Sequence, residues 1–327
     1  MERKLCESVY INGKSKIMTK IKNANSLVTS HEATRAGFIS LALEKNRKST
    51  PFVEEARALK EAVSEIKSPK GLLKVKEIYP ALLTASGLSD KSLNYLRDED
   101  KQKSIENLIE NFLKPAGEKF KEELIYRFLL IKGDTVGGSM RNFAGFLGQV
   151  KFIRSLLASI NMYGITYSWL DSDSKSWIDK IEGEVEFEDR IKALYWQNKD
   201  KSRTLLLNVN LPIIGKNVDL ILLDGDHRKE REIESYEKYI ALGELKGGID
   251  PAGADEHWKT ANSALNRIRE AFKTKELNPN TFFVGAAIQS SMAEEIFEQL
   301  KGGKLTNAAN LTLEGQLYSL CNWIVSL

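Results

Sequence analysis

The hydrophobic pattern of the chain changes near residue 162, and this change limits the possible folds more than any other feature. Before it, apolar residues recur at spacings of three and four, as in SIENLIENFLKPAG and EELIYRFLLIKG, which predicts helices. After a polar, acidic stretch come short branched and aromatic runs, TLLLNVNLPI, VDLILLD, YIALGELK and TFFVGAAI, which predict strands. We therefore expect a mainly helical region, residues 1–162, followed by a region that contains a sheet, residues 163–327.

The order of elements in the second region is specific. The segment HWKTANSALNRIREAF lies between the third and fourth runs and has helical spacing, so the predicted order is β, β, β, α, β. Strands that are apolar nearly throughout predict a sheet covered on both faces. The expected fold is α/β, with a central mixed sheet flanked by helices from the first region and from the terminal segment LTLEGQLYSLCNWIVSL.

Turn residues predict three interruptions of the helical region. They fall at Ser49-Thr50-Pro51, at Ser68-Pro69-Lys70-Gly71 and at Gly133-Asp134. Proline and glycine are the residues that most often end or break helices.

Composition excludes several classes of protein. With 42% apolar and 28% charged residues, the chain has the make-up of an ordinary globular protein. It has no uninterrupted apolar run near the roughly 20 residues of a membrane span and no secretion signal at its start, so we expect a cytoplasmic, membrane-free protein. Cys6 and Cys321 lie at opposite ends, which suggests neither a disulfide framework nor a thiolate zinc site.

Charged residues lie at the ends of two predicted strands. Asp219 begins the second strand, and Glu244-Leu245-Lys246 ends the third. Because alternate residues of a strand face the same side, Glu244 and Lys246 project together. If the second and third strands pair, Asp219 lies beside them, which brings two carboxylates and one ammonium into a small volume.

That combination suits phosphodiester hydrolysis. Carboxylate oxygens bind Mg²⁺, which neutralises charge in the transition state and makes a bound water more acidic. A lysine beside that water orients it or adds positive charge near the scissile phosphate. Strand ends also carry such residues simply as solvated charges, and the spacing alone leaves this alternative open.

The strand order and the residues after Lys246 resemble a known family. An Asp and a Glu-x-Lys on the second and third strands resemble the core of the PD-(D/E)xK nucleases, although Asn217-Val218 stands where that family often has proline before the aspartate. The run GELKGGIDPAGADEHWKTA is similar to type II restriction endonucleases of the BsoBI and AvaI kind. In these, an active-site histidine follows the Glu-x-Lys element after a loop rich in glycine and proline.

The resemblance implies a function and roles for residues. The protein would be a Mg²⁺-dependent homodimer that cuts double-stranded DNA at a C- and G-rich, degenerate palindrome (CYCGRG-like) and leaves 5′-phosphate ends, with a DNA methyltransferase as genetic partner. Asp219, Glu244 and the backbone carbonyl of Leu245 would bind metal, Lys246 would help activate water, and His257 would approach that water or the phosphate.

Two residues of the loop after Lys246 have competing interpretations. His257 can accept a proton, since imidazole titrates near pH 7, or it can cap or pack the start of the helix. Asp250 can accept a hydrogen bond from the cytosine amino group in the major groove, or it can cap a turn before Pro251. His31 and His227 lack this context and are predicted to lie at the surface.

A glycine cluster in the helical region is a second candidate for DNA contact. The run KGDTVGGSMRNFAGFLGQVKF combines glycines with Arg141, Asn142 and Lys151, and backbone amides with basic side chains can bind phosphate or bases. Close helix packing would also explain the glycines. Another acidic pair, Asp224-Gly225-Asp226, is predicted to be a hairpin turn.

Two other functions fit the residues less well. A repair or recombination nuclease that recognises DNA structure would share the same chemistry. A helical DNA-binding protein would carry the acidic cluster incidentally.

Overall fold

The computed structural model describes residues 9–11, 14–16, 21–180, 187–229 and 235–327. The chain divides into two compact units, a helical unit of residues 39–143 and a sheet unit of residues 1–38 and 144–327. The sequence analysis predicted a helical region of residues 1–162 and a sheet region of residues 163–327, with the change of pattern near residue 162. That position is the end of a long helix, whose residues 144–162 belong to the sheet unit.

The described residues of the sheet unit form ten strands. The strands are β1 (Val9–Ile11), β2 (Lys14–Lys16), β3 (Tyr167–Asp171), β4 (Trp177–Asp179), β5 (Ile191–Asn198), β6 (Lys201–Leu211), β7 (Lys216–Asp224), β8 (Tyr239–Lys246), β9 (Asn280–Gly285) and β10 (Asn307–Asn310). β1 and β2 form a separate antiparallel pair, and the others form one sheet in the order β10-β9-β8-β7-β6-β5-β3-β4. Its pairs are antiparallel except β8 with β9 and β9 with β10, which are parallel. The predicted mixed sheet is confirmed.

Helices make up most of the remaining described residues. They are α1 (His31–Ala62), α2 (Tyr79–Ala85), α3 (Asp90–Leu93), α4 (Asp98–Leu108), α5 (Phe120–Met162), α6 (Ala254–Lys273), α7 (Ser290–Lys301) and α8 (Glu314–Ser326). The predicted helix between the third and fourth strand runs is α6, and the predicted terminal helix is α8.

Both faces of the sheet are covered, as the apolar strands predicted. Neighbouring residues of β9 point to opposite faces. Phe283 packs edge-on against Trp258 of α6, with ring centroids 5.1 Å apart, and Phe282 packs against Trp323 of α8 at 5.7 Å. All four rings are buried. A strand buried on both sides gains from apolar residues at every position, which explains the run TFFVGAAI.

The helical unit has its own apolar core, formed by α2, α4 and parts of α1 and α5. Two predicted interruptions are wrong, because α1 passes through Pro51 and α5 passes through Gly133. Ser49 and Thr50 before the proline donate their hydroxyls back to the carbonyls of Lys45 and Asn46. A glycine inside a helix costs only about 1 kcal/mol, less than burial of neighbouring side chains contributes. The interruption at Ser68-Pro69 is confirmed by a 3-10 helix at Pro69–Lys74.

Helix α5 is the most apolar long helix of the described residues. By length and hydropathy the stretch Gly117–Met162 could cross a membrane, but core helices of soluble proteins meet the same criterion, and 44% of its most apolar window is buried in the protein.

Candidate active site

Three of the predicted residues meet at adjacent ends of β7 and β8. The Lys246 ammonium lies 2.8 Å from Glu244 Oε2 and 3.0 Å from Asp219 Oδ2. Glu244 is almost fully buried, with its side chain 5% exposed, while the Asp219 and Lys246 side chains are 21% and 20% exposed. The charged cluster is thus mostly buried, and solvent reaches it on the side of Asp219 and Lys246.

Strand pairing explains why these residues meet. β7 and β8 pair antiparallel through Leu220–Gly243 and Ile221–Leu242, so Asp219 comes next to Glu244 as the ladder ends. The Asp219 carboxylate continues the ladder with its side chain, since Oδ2 accepts the backbone N–H of Leu245 at 2.9 Å. This bond fixes the carboxylate beside the Glu-x-Lys element.

The cluster holds more negative than positive charge. Burial and the nearby charge of Asp219 raise the pKa of Glu244 to about 7, and Lys246 lowers it only in part. Burial lowers the pKa of Lys246, but the charges of Glu244 and Asp219 together outweigh this and raise it. With all three groups ionised, one negative charge has no counterpart in the cluster, so further positive charge would stabilise it.

His257 lies in the first turn of α6, beside the loop that follows Lys246. A Cβ added to Gly248 would approach its ring carbon Cε1 to 2.7 Å, so the imidazole packs directly over that glycine. The side chain is half-buried. Within the described part of the chain, neither ring nitrogen of His257 has a hydrogen-bond or ion-pair partner. Packing explains where the ring lies and leaves its nitrogens available.

Comparison with known proteins identifies the family. The family described as "Restriction endonuclease BsobI" matches residues 17–327. The "Type II restriction enzyme AvaI" of Nostoc sp. is 54% identical over 309 residues, which cover 94% of this chain and 98% of that enzyme. The "Type II restriction enzyme BsoBI" of Geobacillus stearothermophilus is 52% identical over 313 residues, covering 94% and 97%.

The chain belongs to the BsoBI family of restriction endonucleases. It is therefore a type II restriction endonuclease, an enzyme that cleaves DNA at specific sequences. The family resemblance stated from GELKGGIDPAGADEHWKTA is confirmed over nearly the whole chain rather than over the sheet region alone.

The side chain of Asp250 accepts a hydrogen bond from its own loop. It caps the 3-10 helix Pro251–Gly253, and its carboxylate Oδ1 accepts the backbone N–H of Ala252 at 3.0 Å. The residue is exposed. A carboxylate has further lone pairs, so the cap leaves room for a second acceptor role.

The glycine cluster KGDTVGGSMRNFAGFLGQVKF lies entirely within helix α5. Arg141, Asn142 and Lys151 all lie in α5; Asn142 and Lys151 are exposed, and the side chain of Arg141 lies outside the described structure. The expected contribution of backbone amides is wrong, because residues inside a helix use their amides in helical hydrogen bonds. Of the two explanations for the glycines, close packing holds at Gly148, where an added Cβ would meet Gly247 Cα at 2.5 Å.

The other two histidines, His31 and His227, differ in solvent exposure. His31 is exposed, as predicted. The prediction for His227 is wrong: it is buried, its backbone N–H donates to Thr204 Oγ1 at 3.1 Å, and its Nε2 lies 2.7 Å from the Asp224 carbonyl. The turn after β7 folds back over β6, with Gly225 at φ 110°, and this covers the ring. A turn at Asp224-Gly225-Asp226 agrees with the sequence analysis.

Two polar residues near the cluster were not singled out from the sequence. Asn208 of β6 stands between the pairs Leu207–Leu220 and Val209–Val218, opposite Asp219. Its Nδ2 donates to Oε1 of Gln149 in α5 at 2.7 Å. An asparagine inside the apolar run LLLNVNL was the available signal.

Proposed function

We propose that this BsoBI-family enzyme hydrolyses double-stranded DNA with Mg²⁺ bound by Asp219, Glu244 and the carbonyl of Leu245. The observation that carries the proposal is the position of the Lys246 ammonium, within 3.0 Å of both carboxylates at the open end of β8. Two carboxylates and a lysine at adjoining strand ends form the catalytic set that the chemistry requires.

The residues fit a hard divalent cation. The cluster carries an excess of negative charge, and a buried carboxylate whose pKa is raised to about 7 gains from a cation at its oxygens. No group of three or more His, Cys, Asp or Glu side chains that could hold a metal occurs among the described residues. A two-carboxylate set suits Mg²⁺, which keeps several waters and is commonly bound by one or two carboxylates and substrate phosphate.

Each side chain has a distinct part in the reaction. Asp219, Glu244 and the Leu245 carbonyl would hold Mg²⁺, which would supply Lewis-acid stabilisation of the phosphate charge and make a bound water more acidic. Asp219 is held in place by the Leu245 N–H, and Glu244 by burial. The Lys246 ammonium orients the attacking water and offsets charge that builds on the scissile phosphate. Attack at phosphorus breaks the bond to O3′, which leaves a 3′-hydroxyl and a 5′-phosphate.

His257 is proposed to take up the proton of the attacking water. Its half-buried ring lies over Gly248, two residues after Lys246, and its nitrogens have no partner in the described chain. A neutral imidazole near pH 7 is suited to this step. The proton leaves the reacting water as its oxygen bonds to phosphorus.

Recognition is proposed to involve both the loop after β8 and helix α5. Asp250, exposed at the loop, would accept a hydrogen bond from a cytosine amino group, in keeping with a C- and G-rich palindrome. Arg141, Asn142 and Lys151 of α5 would contact phosphates or bases. A palindrome presents two equivalent strands, so we propose a homodimer, together with a methyltransferase that protects the same site in the cytoplasm.

Digestion of plasmid DNA tests this function. The wild-type chain should give discrete fragments with Mg²⁺ and none without it, and sequencing the fragment ends should show one site with 5′-phosphates. Lys246→Ala should reduce cleavage by about a thousandfold or more while specific DNA binding persists.

The results separate the alternatives. Cleavage confined to branched or damaged DNA would support a structure-specific nuclease. Full activity of Lys246→Ala would refute the catalytic assignment, and a wild-type chain that binds DNA but never cuts it would support a non-catalytic binding protein.

A further inference from the structure

We propose that the segment Ala144–Gln149 of helix α5 is a positioning element that sets the separation of Asp219 and Lys246. The inference rests on the proposed catalytic roles of those two residues. Two independent contacts carry it, one with the end of strand β8 and one with strand β6.

The first contact lies immediately after Lys246. A Cβ on Gly148 would come within 2.5 Å of the Cα of Gly247, and a Cβ on Gly247 would come within 2.6 Å of the Ala144 carbonyl oxygen and 2.9 Å of that of Gly145. Helix backbone and strand backbone therefore touch without any side chain between them. Any larger residue at position 148 or 247 must push the end of β8 away from the helix.

The second contact lies across the ladder from Asp219. Asn208 has φ +55°, a left-handed conformation that asparagine tolerates better than other non-glycine residues. Its side chain donates to Gln149 Oε1 at 2.7 Å. Strained backbone of this kind persists where surrounding contacts hold it, and it concentrates at functional sites.

Adjacent residues of one rigid helix thus hold both sides of the cluster. Gly148 fixes the residue after Lys246, and Gln149 fixes the residue opposite Asp219. Since the Lys246 ammonium must stay within about 3 Å of both carboxylates, a small shift of β8 relative to β7 changes the geometry on which the chemistry depends.

Alanine at position 148, with a matched control at 133, tests the proposal. Both glycines lie in α5, but Gly133 lies outside the positioning element and a Cβ there meets nothing within 4 Å. At saturating DNA, Gly148→Ala should lower the single-turnover cleavage rate by about 10- to 100-fold, and Gly133→Ala should stay within about twofold of wild type. The affinity for the specific duplex without metal should be unchanged in both, so the loss falls on the rate and not on binding.

Asn208 provides a second test if Gly148→Ala does not fold. Glycine adopts positive φ freely and alanine does not, so Asn208→Ala should lose more cleavage rate than Asn208→Gly. Equal rates for this pair, or a wild-type rate in folded Gly148→Ala, would overturn the proposal. Because wild type and Lys246→Ala are measured alongside, cleavage by wild type and loss in Lys246→Ala would show that only the positioning role had failed.

Discussion

The two units of the chain differ in the exposure and the sequence separation of their ion pairs. In the helical unit, most ion pairs join residues one turn apart, as in the exposed pair Arg57–Glu54, whose side chains are 70% and 59% accessible. In the sheet unit, the cluster of Asp219, Glu244 and Lys246 joins two strands, and Glu244 is buried. Exposed helical pairs contribute little to stability, whereas a buried, unbalanced cluster costs free energy.

This difference shows which charges the fold keeps for a purpose other than stability. A buried carboxylate next to another carboxylate lowers the stability of the protein alone and is stabilised by added positive charge. The helical pairs need no such explanation. Three changes, taken in order of expected effect, test this contrast.

Replacing His257 should have the largest of these effects. His257→Ala removes the proposed proton acceptor, so the single-turnover rate should fall by about a hundredfold or more, while metal-free DNA binding changes little. His31→Ala, at the exposed start of α1, is the matched control and should cut at the wild-type rate. If both variants were equally active, His257 would be only a packing residue over Gly248.

The meeting of Asp219, Glu244 and Lys246 was predictable because its geometry is short-range. Alternation within β8 brings Glu244 and Lys246 to one face, and a single antiparallel pairing adds Asp219. The strands β6, β7, β8 and β9 and helix α6 follow from apolar runs that are dense enough to be recognised alone.

Other features depend on contacts between distant parts of the chain. β5 holds the fully buried Trp196 but follows an acidic stretch that masks its pattern, and β10, Asn307–Asn310, has no strand-forming side chains and forms by parallel pairing with β9. Likewise, no local pattern distinguishes Gly148, which touches Gly247, from Gly145, whose Cβ position is open. Only the packed structure separates them.

Glu244→Gln should stabilise the metal-free protein. The pKa of Glu244 is raised from 4.5 to about 7, so the folded state loses stability as pH rises through this range and the unfolded state ionises first. Glutamine does not ionise, so it removes this pH-dependent loss of stability. Its amide oxygen can still accept a hydrogen bond from the Lys246 ammonium. Above pH 7, the free energy of unfolding should increase by about 1–3 kcal/mol, with no gain near pH 4.

Urea unfolding in the presence of a chelator measures this effect. Glu54→Gln in the helical unit is the control, and the loss of its exposed pair with Arg57 should change the free energy of unfolding by less than about 0.5 kcal/mol. A destabilised Glu244→Gln at pH 8 would mean that the cluster stabilises the fold by itself, contrary to the contrast between the units.

Gly138→Ala should have the smallest effect, and in the helical unit. Gly138 lies inside α5, where an added Cβ meets nothing within 4 Å, so alanine should raise the free energy of unfolding by about 0.5–1 kcal/mol through its higher helix propensity. Cleavage should be unchanged, in contrast to Gly148→Ala in the same helix. If the variant is more stable but binds DNA or self-associates more weakly, DNA or a second copy of the chain occupies the open space at Gly138. The helical unit would then hold a functional surface that constrains its residues as strictly as the sheet unit constrains Asp219, Glu244 and Lys246.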